Sequence, residues 1–335
     1  RRMRKKSSEA TISDVARHAG VSIATVSRVL NDKSKVRRET AEKVSRVMES
    51  LSYIREPVHG HEKNQLLIAV LPNLDNPFYA EIIKGIRTSA KSHGMSALIF
   101  PEPNVDRDYS QLIRLVETTR ASGVILLSPV NQLETLAALG AAAPLVQCAE
   151  YTESSPFPYV GVDDTAAAKM ATEALIRVKR RRIALINGPE KYKYARHRYQ
   201  GYAQALFQAG LEVNPSLVAN VTEMGFDSSL AVARQMLLSA EHPDAIFAAS
   251  DMYAAAVIKA ADQAAIHIPE QLSVIGFDNT YISQMLNPSV SSVSIPRFQL
   301  GYTAGELLME RIQNPVSMGS KHILLKTELV LRDSV

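Results

Sequence analysis

The chain has 335 residues, enough for about two domains, and its charge is unevenly spread. Residues 1–66 hold 15 basic and 8 acidic side chains, a net of +7, and the other 269 hold 23 and 26, a net of −3; a polyanionic partner is expected for the first part alone. A hydrophobic share of 46% argues against disorder, no apolar run reaches the roughly 18–20 residues of a membrane span, the polar stretch 1–10 does not read as a secretory signal, and the one cysteine, Cys148, can form neither an internal disulfide nor a multi-thiolate metal site. A soluble cytoplasmic protein with no metal and no cofactor is the expectation.

Residues 1–10 read as a basic tail. Thr11 opens a first helix as its cap, with Ile12, Val15, Ala16 and Ala19 on one face, and Gly20 ends it. Ser22 caps a second helix over 23–30, whose Val26, Val29 and Leu30 face inward. A loop over 31–34 leads to a third helix over 38–51, striped by Ala41, Val44, Val47, Met48 and Leu51. Two short helices joined by a glycine turn and closed by a third form a helix-turn-helix head over 11–53, and such a head lays its second helix in the DNA major groove. On that helix Ile23, Ala24, Ser27 and Arg28 face outward. Arg28 can donate two hydrogen bonds to guanine O6 and N7, while Ser22, Thr25, Asn31, Lys35, Arg37, Thr40 and Tyr53 carry donors suited to phosphate, which set register without reading sequence. Thr11 is grouped with these DNA-facing residues. The alternative is a small helical bundle with a solvated basic face.

Residues 54–65 read as a linker. Pro57 and Gly60 are poor in a helix interior, and Val58 is the only apolar residue between Ile54 and Leu66. His59 and His61 are read as solvated rather than metal-ligating.

From Leu66 the texture changes. Apolar runs at 66–71, 96–100, 123–127, 145–147, 159–162, 182–186, 245–248 and 272–277 read as strands. Helices are expected near 78–93, 107–121, 131–139, 164–178, 194–210, 226–239 and 251–265. Strands apolar on both faces and alternating with helices imply parallel sheets covered on both sides. The units are too many for one compact sheet, so two Rossmann-like lobes are expected: one from 66–162 plus 295–322, the other from 163–294 plus 323–335. Ligands bind beyond the carboxyl ends of such strands, and there the sequence places Phe78 and Tyr79, Ser128, Glu150, Arg198, Ser250-Asp251 and Asp278-Asn279. A ring of Arg, Asp and Glu with aromatics suits a polyhydroxylated ligand. Other roles stay open: Phe78 and Tyr79 as packing, Arg198 and Asp278 as an interlobe salt bridge, Ser250-Asp251 as a helix cap. Lys179-Arg180-Arg181-Arg182 reads as a solvated turn, and Cys148 as a buried hydrophobe. There is no GxxxxGK loop, no GxSxG elbow and no metal-spaced His/Cys set, so an enzyme is not expected.

Thr11-Ile-Ser-Asp-Val-Ala-x-x-Ala-Gly-Val-Ser-x-x-Thr-Val-Ser-Arg28-Val-Leu-Asn31, followed by Val36, Thr40, Val44 and Leu51-x-Tyr53, resembles the start of the LacI/GalR family of bacterial repressors. The resemblance continues through Asn187-Gly188-Pro189, Arg198-x-x-Gly201, Ser250-Asp251 and Val274-Ile-Gly-Phe-Asp278-Asn279. It implies an all-α head joined to an α/β core of the periplasmic-binding-protein type I class. It also implies specificity-setting roles for Ile23 and Ala24, and an effector cleft lined by Phe78, Tyr79, Glu150, Arg198, Met224, Ser250, Asp251 and Asp278. The implied function is that of a homodimeric, non-enzymatic transcriptional repressor of double-stranded operator DNA, its dimer surface on the first lobe. Residues 72–86 and 188–206 resemble a nucleoside-responsive member, and a sugar or sugar acid is the alternative effector. Induction is expected over corepression. Members carry a hinge helix with a DNA-wedging leucine where this chain has Pro57 and Gly60, so a loose tether is expected here.

Overall fold

A computed structural model describes residues 12–31, 36–51, 64–102, 109–130, 132–314 and 321–335. The chain divides between Glu62 and Lys63 into two units.

The first unit packs α1 (Ile12–Ala19), α2 (Ile23–Asn31) and α3 (Arg38–Ser50) around Val15, Ala16, Ala19, Val26, Val29, Ala41 and Val44, with Val47, Met48 and Leu51 partly buried against them; the expected inward side chains of Ile12 and Leu30 lie outside those described. Gly20 ends α1 at φ 64°, a left-handed value that costs a glycine nothing. The Ser22 hydroxyl accepts the Thr25 N–H at 3.1 Å, the cap that starts α2. The basic tail, Thr11, Lys35, Tyr53 and linker residues 54–63 lie outside the described residues, as do His59 and His61. Asn64 and Gln65 belong to the first strand rather than to the linker.

The second unit holds two sheets. The first runs β2 (Ser96–Pro101), β1 (Asn64–Leu71), β3 (Ala121–Leu126), β4 (Leu145–Cys148), β5 (Tyr159–Val162), β11 (His322–Leu325), all parallel. The second runs β7 (Val218–Asn220), β6 (Ile183–Asn187), β8 (Ala245–Ala248), β9 (Ser273–Asp278), β10 (Ser291–Ser294), β12 (Glu328–Val330), parallel except for β12. Alternate side chains of β1 serve two cores: Leu67, Ala69 and Leu71 join the cluster beneath α4 (Phe78–Ser92) and α12 (Arg297–Gln313), and Ile68 and Val70 the one beneath α5 (Ser110–Thr119) and α6 (Leu133–Ala142). The second sheet is covered by α7 (Asp164–Arg177) and α8 (Lys193–Gln208) on one side and by α9 (Phe226–Leu237) and α10 (Asp251–Gln263) on the other. A short α11 (Tyr281–Met285) follows β9. Burial on both faces is the requirement that made these strands continuously apolar.

The chain passes between lobes after β5, between β10 and α12, and between β11 and β12. The last passage falls after Leu325 instead of at 322, because β11 pairs in parallel with β5. Residues 323–325 therefore belong to the first lobe, a correction to the expected boundary.

Candidate functional site

On the head, Arg28, Ile23 and Ala24 project from the exposed side of α2, opposite the buried Val26 and Val29. Ile23 is 51% exposed, an apolar side chain left in water with no core to meet. Ser22 lies beside them, its hydroxyl 2.9 Å from that of Thr25, and Ser27 is half-buried. Arg37 is exposed just before α3 and Thr40 half-buried on it, while Asn31 closes α2. The outward face expected for Arg28 is the one observed.

In the second unit a cavity with about 590 Å³ of non-atom space, counting its open mouth, lies between the lobes at the carboxyl ends of the strands. The β1–α4 loop and α4 supply Asn76, Phe78 and Tyr79; the end of β4 supplies Ala149 and Glu150. From the second lobe come Asp164, Tyr194, Arg198, Met224, Ser250, Tyr253 and Asp278. Phe78 and Tyr79 meet edge to face at 5.1 Å, so they pack together and still wall the cavity.

Arg198 is held on every side. Its Nε and one terminal nitrogen donate to Asp164 Oδ1, both at 2.9 Å, and its other terminal nitrogen donates to the Ala249 carbonyl at 2.5 Å. The guanidinium lies 3.5 Å from the Phe277 ring centroid. Lys193 Nζ donates to Asp164 Oδ2 at 2.9 Å. Burial works against the Asp164 charge, but Lys193 and Arg198 together outweigh it and hold the carboxyl below its ordinary range. Two other carboxyls lack such compensation. Burial pushes Asp278 up to about 7 against the pull of Arg198, and pushes Glu150 up to about 7 against Lys193. The only acceptor bond the Asp278 side chain makes among the described residues is a long one, 3.3 Å, from Ser250. Its carboxylate is thus the free acceptor in the cavity for a ligand hydroxyl or amine.

The backbone is shaped to the same end. Asp278 and Asn279 have φ of 98° and 49°, and Ala149, before Glu150, has 66°; such values are uncommon outside glycine and cluster where the surroundings over-determine them. Asn279 is pinned by its N–H to Ser292 Oγ at 3.0 Å, and by Arg297 and Arg332, which donate to its carbonyl and to its Oδ1.

Two expectations change and one alternative falls. Asp251 does not line the cavity: its Oδ2 accepts from the Thr280 N–H and hydroxyl, and its Oδ1 from the Ser292 hydroxyl at 2.6 Å. It ties β10 to the β9–α11 turn, and the cap of α10 is Ser250, which accepts the Met252 N–H. Ser128 is also absent from the lining; it is wholly buried past the end of β3. The Arg198 ion pair is not interlobe, because Asp164 starts α7 in the same lobe. Asn76, Asp164, Lys193, Tyr194 and Tyr253 were missed. Asp164 had a signal: it follows the end of β5, and since Asp163 already caps α7 through the Ala166 N–H, the second carboxylate was free for the cleft.

The run 179–182 ties its own lobe together: Arg180 donates to Ser273 Oγ at 3.0 Å and to the Pro269 carbonyl, and Arg182 to the His242 carbonyl. Cys148 is buried, and burial pushes its thiol up to about 12. Among the described residues no helix is long and apolar enough to cross a membrane.

Residues 11–56 match the model of bacterial regulatory proteins of the lacI family, and residues 172–335 match that of a periplasmic binding protein-like domain. The chain is 31% identical over 341 residues to the HTH-type transcriptional repressor CytR of Escherichia coli (strain K12), covering 99% of this chain and 98% of that protein. A solved transcriptional regulator CelR–cellobiose complex superposes with a TM-score of 0.75 at 28% identity, covering 97% of this chain and 100% of that one. A lac repressor dimer bound to operator and the anti-inducer ONPF superposes with a TM-score of 0.74 at 25% identity, covering 98% and 99%.

Proposed function

The chain belongs to the lacI family of bacterial regulatory proteins, and from that premise we propose that it is a cytoplasmic transcriptional repressor, a homodimer whose hold on operator DNA is set by a small polyhydroxylated effector, a nucleoside or sugar, bound between its lobes. The observation that carries this reading is the pairing in one chain of a basic head that exposes Arg28 on its second helix with a cavity where Arg198 is pre-positioned and Asp278 stands open. The cellobiose in the CelR complex and the operator in the lac repressor complex support the two halves of the reading. Regulators among the relatives favour effector recognition over catalysis for the cavity carboxylates.

Two-fold symmetry presents two Arg28 side chains to two half-sites of a roughly palindromic operator. Arg28 reads guanine, Ile23 and Ala24 touch thymine methyls or sugar, and Ser22, Thr25, Ser27, Asn31, Arg37 and Thr40, with Thr11, Lys35 and Tyr53, hold phosphates. In the cavity Phe78, Tyr79 and Tyr194 offer ring faces, and Arg198, Ser250 and Asp278 offer polar partners to ligand hydroxyls, with Met224 filling the wall. Effector binding shifts the lobes and so the heads; by linkage, DNA alters effector affinity by the same factor.

A thermal-shift screen of nucleosides, pentoses, hexoses and sugar acids tests the site. A true effector at one hundred times its Kd adds about 2.7 kcal/mol of stability, and the gain disappears in Asp278→Ala. A gel shift with the hit then gives the sign: release of operator means induction, tightening means corepression. A hit whose effect survives Asp278→Ala refutes the cavity as its site.

A further inference from the structure

Helix α8 begins without a side-chain cap from its own N-cap residue. Tyr192 stands at its N-cap and its side chain makes no capping hydrogen bond, whereas α7 and α10 are capped within their lobe by Asp163 and Ser250. The missing acceptors come from across the cleft. Glu150, just past β4 in the first lobe, takes the N–H of Lys193 on Oε2 and that of Tyr194 on Oε1, each at 3.0 Å. First-turn N–H groups have no partner inside their own helix and need one when buried, and a carboxylate there also meets the positive end of the helix dipole. Two further contacts join the same segments. The Lys193 ammonium lies 4.3 Å from the Tyr151 ring centroid, and the His197 imidazole lies 3.3 Å from Glu153. Residues 150–153 of one lobe and 193–197 of the other form a single seam beside the cavity.

We infer that Glu150 is the latch of the two lobes, a positioning residue that completes α8 across the cleft and sets the balance of shut and open forms before any effector arrives. Opening withdraws the carboxylate and strands two helix N–H groups until water replaces it. Both Glu150 oxygens already serve the backbone, so the side chain acts on effector affinity mainly through the population of the shut form, which scales the apparent Kd directly. That regulatory meaning rests on the effector reading above; the two hydrogen bonds from α8 to Glu150 do not.

The test is single-molecule energy transfer between dyes on exposed Thr118→Cys of the first lobe and Ala264→Cys of the second, in full-length, effector-free dimers with one labelled protomer. The unaltered latch gives one dominant transfer efficiency. At pH 8, where the carboxyl is ionised, Glu150→Ala moves the ratio of shut to open by about tenfold or more, given two lost hydrogen bonds to a charged group, and a second efficiency population appears. Glu150→Gln, which keeps the volume but turns an amide N–H toward a helix N–H, moves it the same way and carries the test if the alanine variant does not fold. Distributions identical to that of the parent in the folded variants overturn the latch. The result is independent of the effector screen: a cavity that binds no tested compound still leaves the interlobe populations to be read.

Discussion

Asp164, at the start of α7, grips Arg198 of α8, with Oδ1 2.9 Å from both guanidinium nitrogens it serves, while its Oδ2 holds Lys193. All three side chains are almost fully buried. Breaking such a set by removing one partner leaves charges buried without compensation, at a cost of about 3–5 kcal/mol. Asp164→Asn is expected to lose that much in urea unfolding. A loss below about 1 kcal/mol would show that the charges are not sequestered.

Stability should fall as pH rises from 5 to 8. Asp278 and Glu150 titrate near 7 in the folded protein because burial disfavours their charge, while unfolded carboxyls titrate near their ordinary values of about 4. The folded state therefore binds protons more tightly, and the stability this gives is present at low pH and lost as pH climbs through about 7. Asp278→Asn, neutral at every pH, should flatten part of the slope of Tm against pH. A Tm that rises between pH 5 and 8 would contradict the burial of these groups.

Helices α4 and α12 touch backbone to backbone at Gly85 and Gly301. A Cβ at Gly301 would overlap the Ile82 carbonyl, and one at Gly85 the Phe298 carbonyl. Gly301→Ala gains helix propensity of about 1 kcal/mol but must push the helices apart, and overpacking of a close-packed interior costs about 1–3 kcal/mol or more. The expected result in chemical denaturation is net destabilisation; a stabilised variant would mean that the helices separate freely.

Arg28→Ala should cost specific operator binding about 1–3 kcal/mol and relax discrimination at one base pair, whereas Arg37→Ala should weaken all DNA alike and lower the salt slope by about 1. Binding titrations on operator and random duplex at several salt concentrations separate the two. Equal losses on both duplexes for Arg28→Ala refute base reading.

Local physics was enough for the head and for most strands. Ser22 capping α2, Gly20 ending α1 and the spacing of Val15, Val26 and Val44 are short-range facts, and a strand buried on both faces, such as β3, advertises itself by its own composition. Helix α12 escaped because Gly301 and Gly305, poor helix formers, are there for contact with α4. Strand β10, Ser-Ser-Val-Ser, escaped because its serines look like loop until Ser292 meets Asp251 and Ser291 meets Ser334. The sequence by itself determined the head, most of the strands and helices of the core, and that acidic and basic groups gather at strand ends. Only the tertiary structure decided that Asp278 and not Asp251 faces the cleft, because Thr280 and Ser292 reach Asp251 and leave Asp278 open. Periodicity is a property of one segment, whereas a buried carboxylate takes its role from donors brought to it by distant strands and by the passages between lobes.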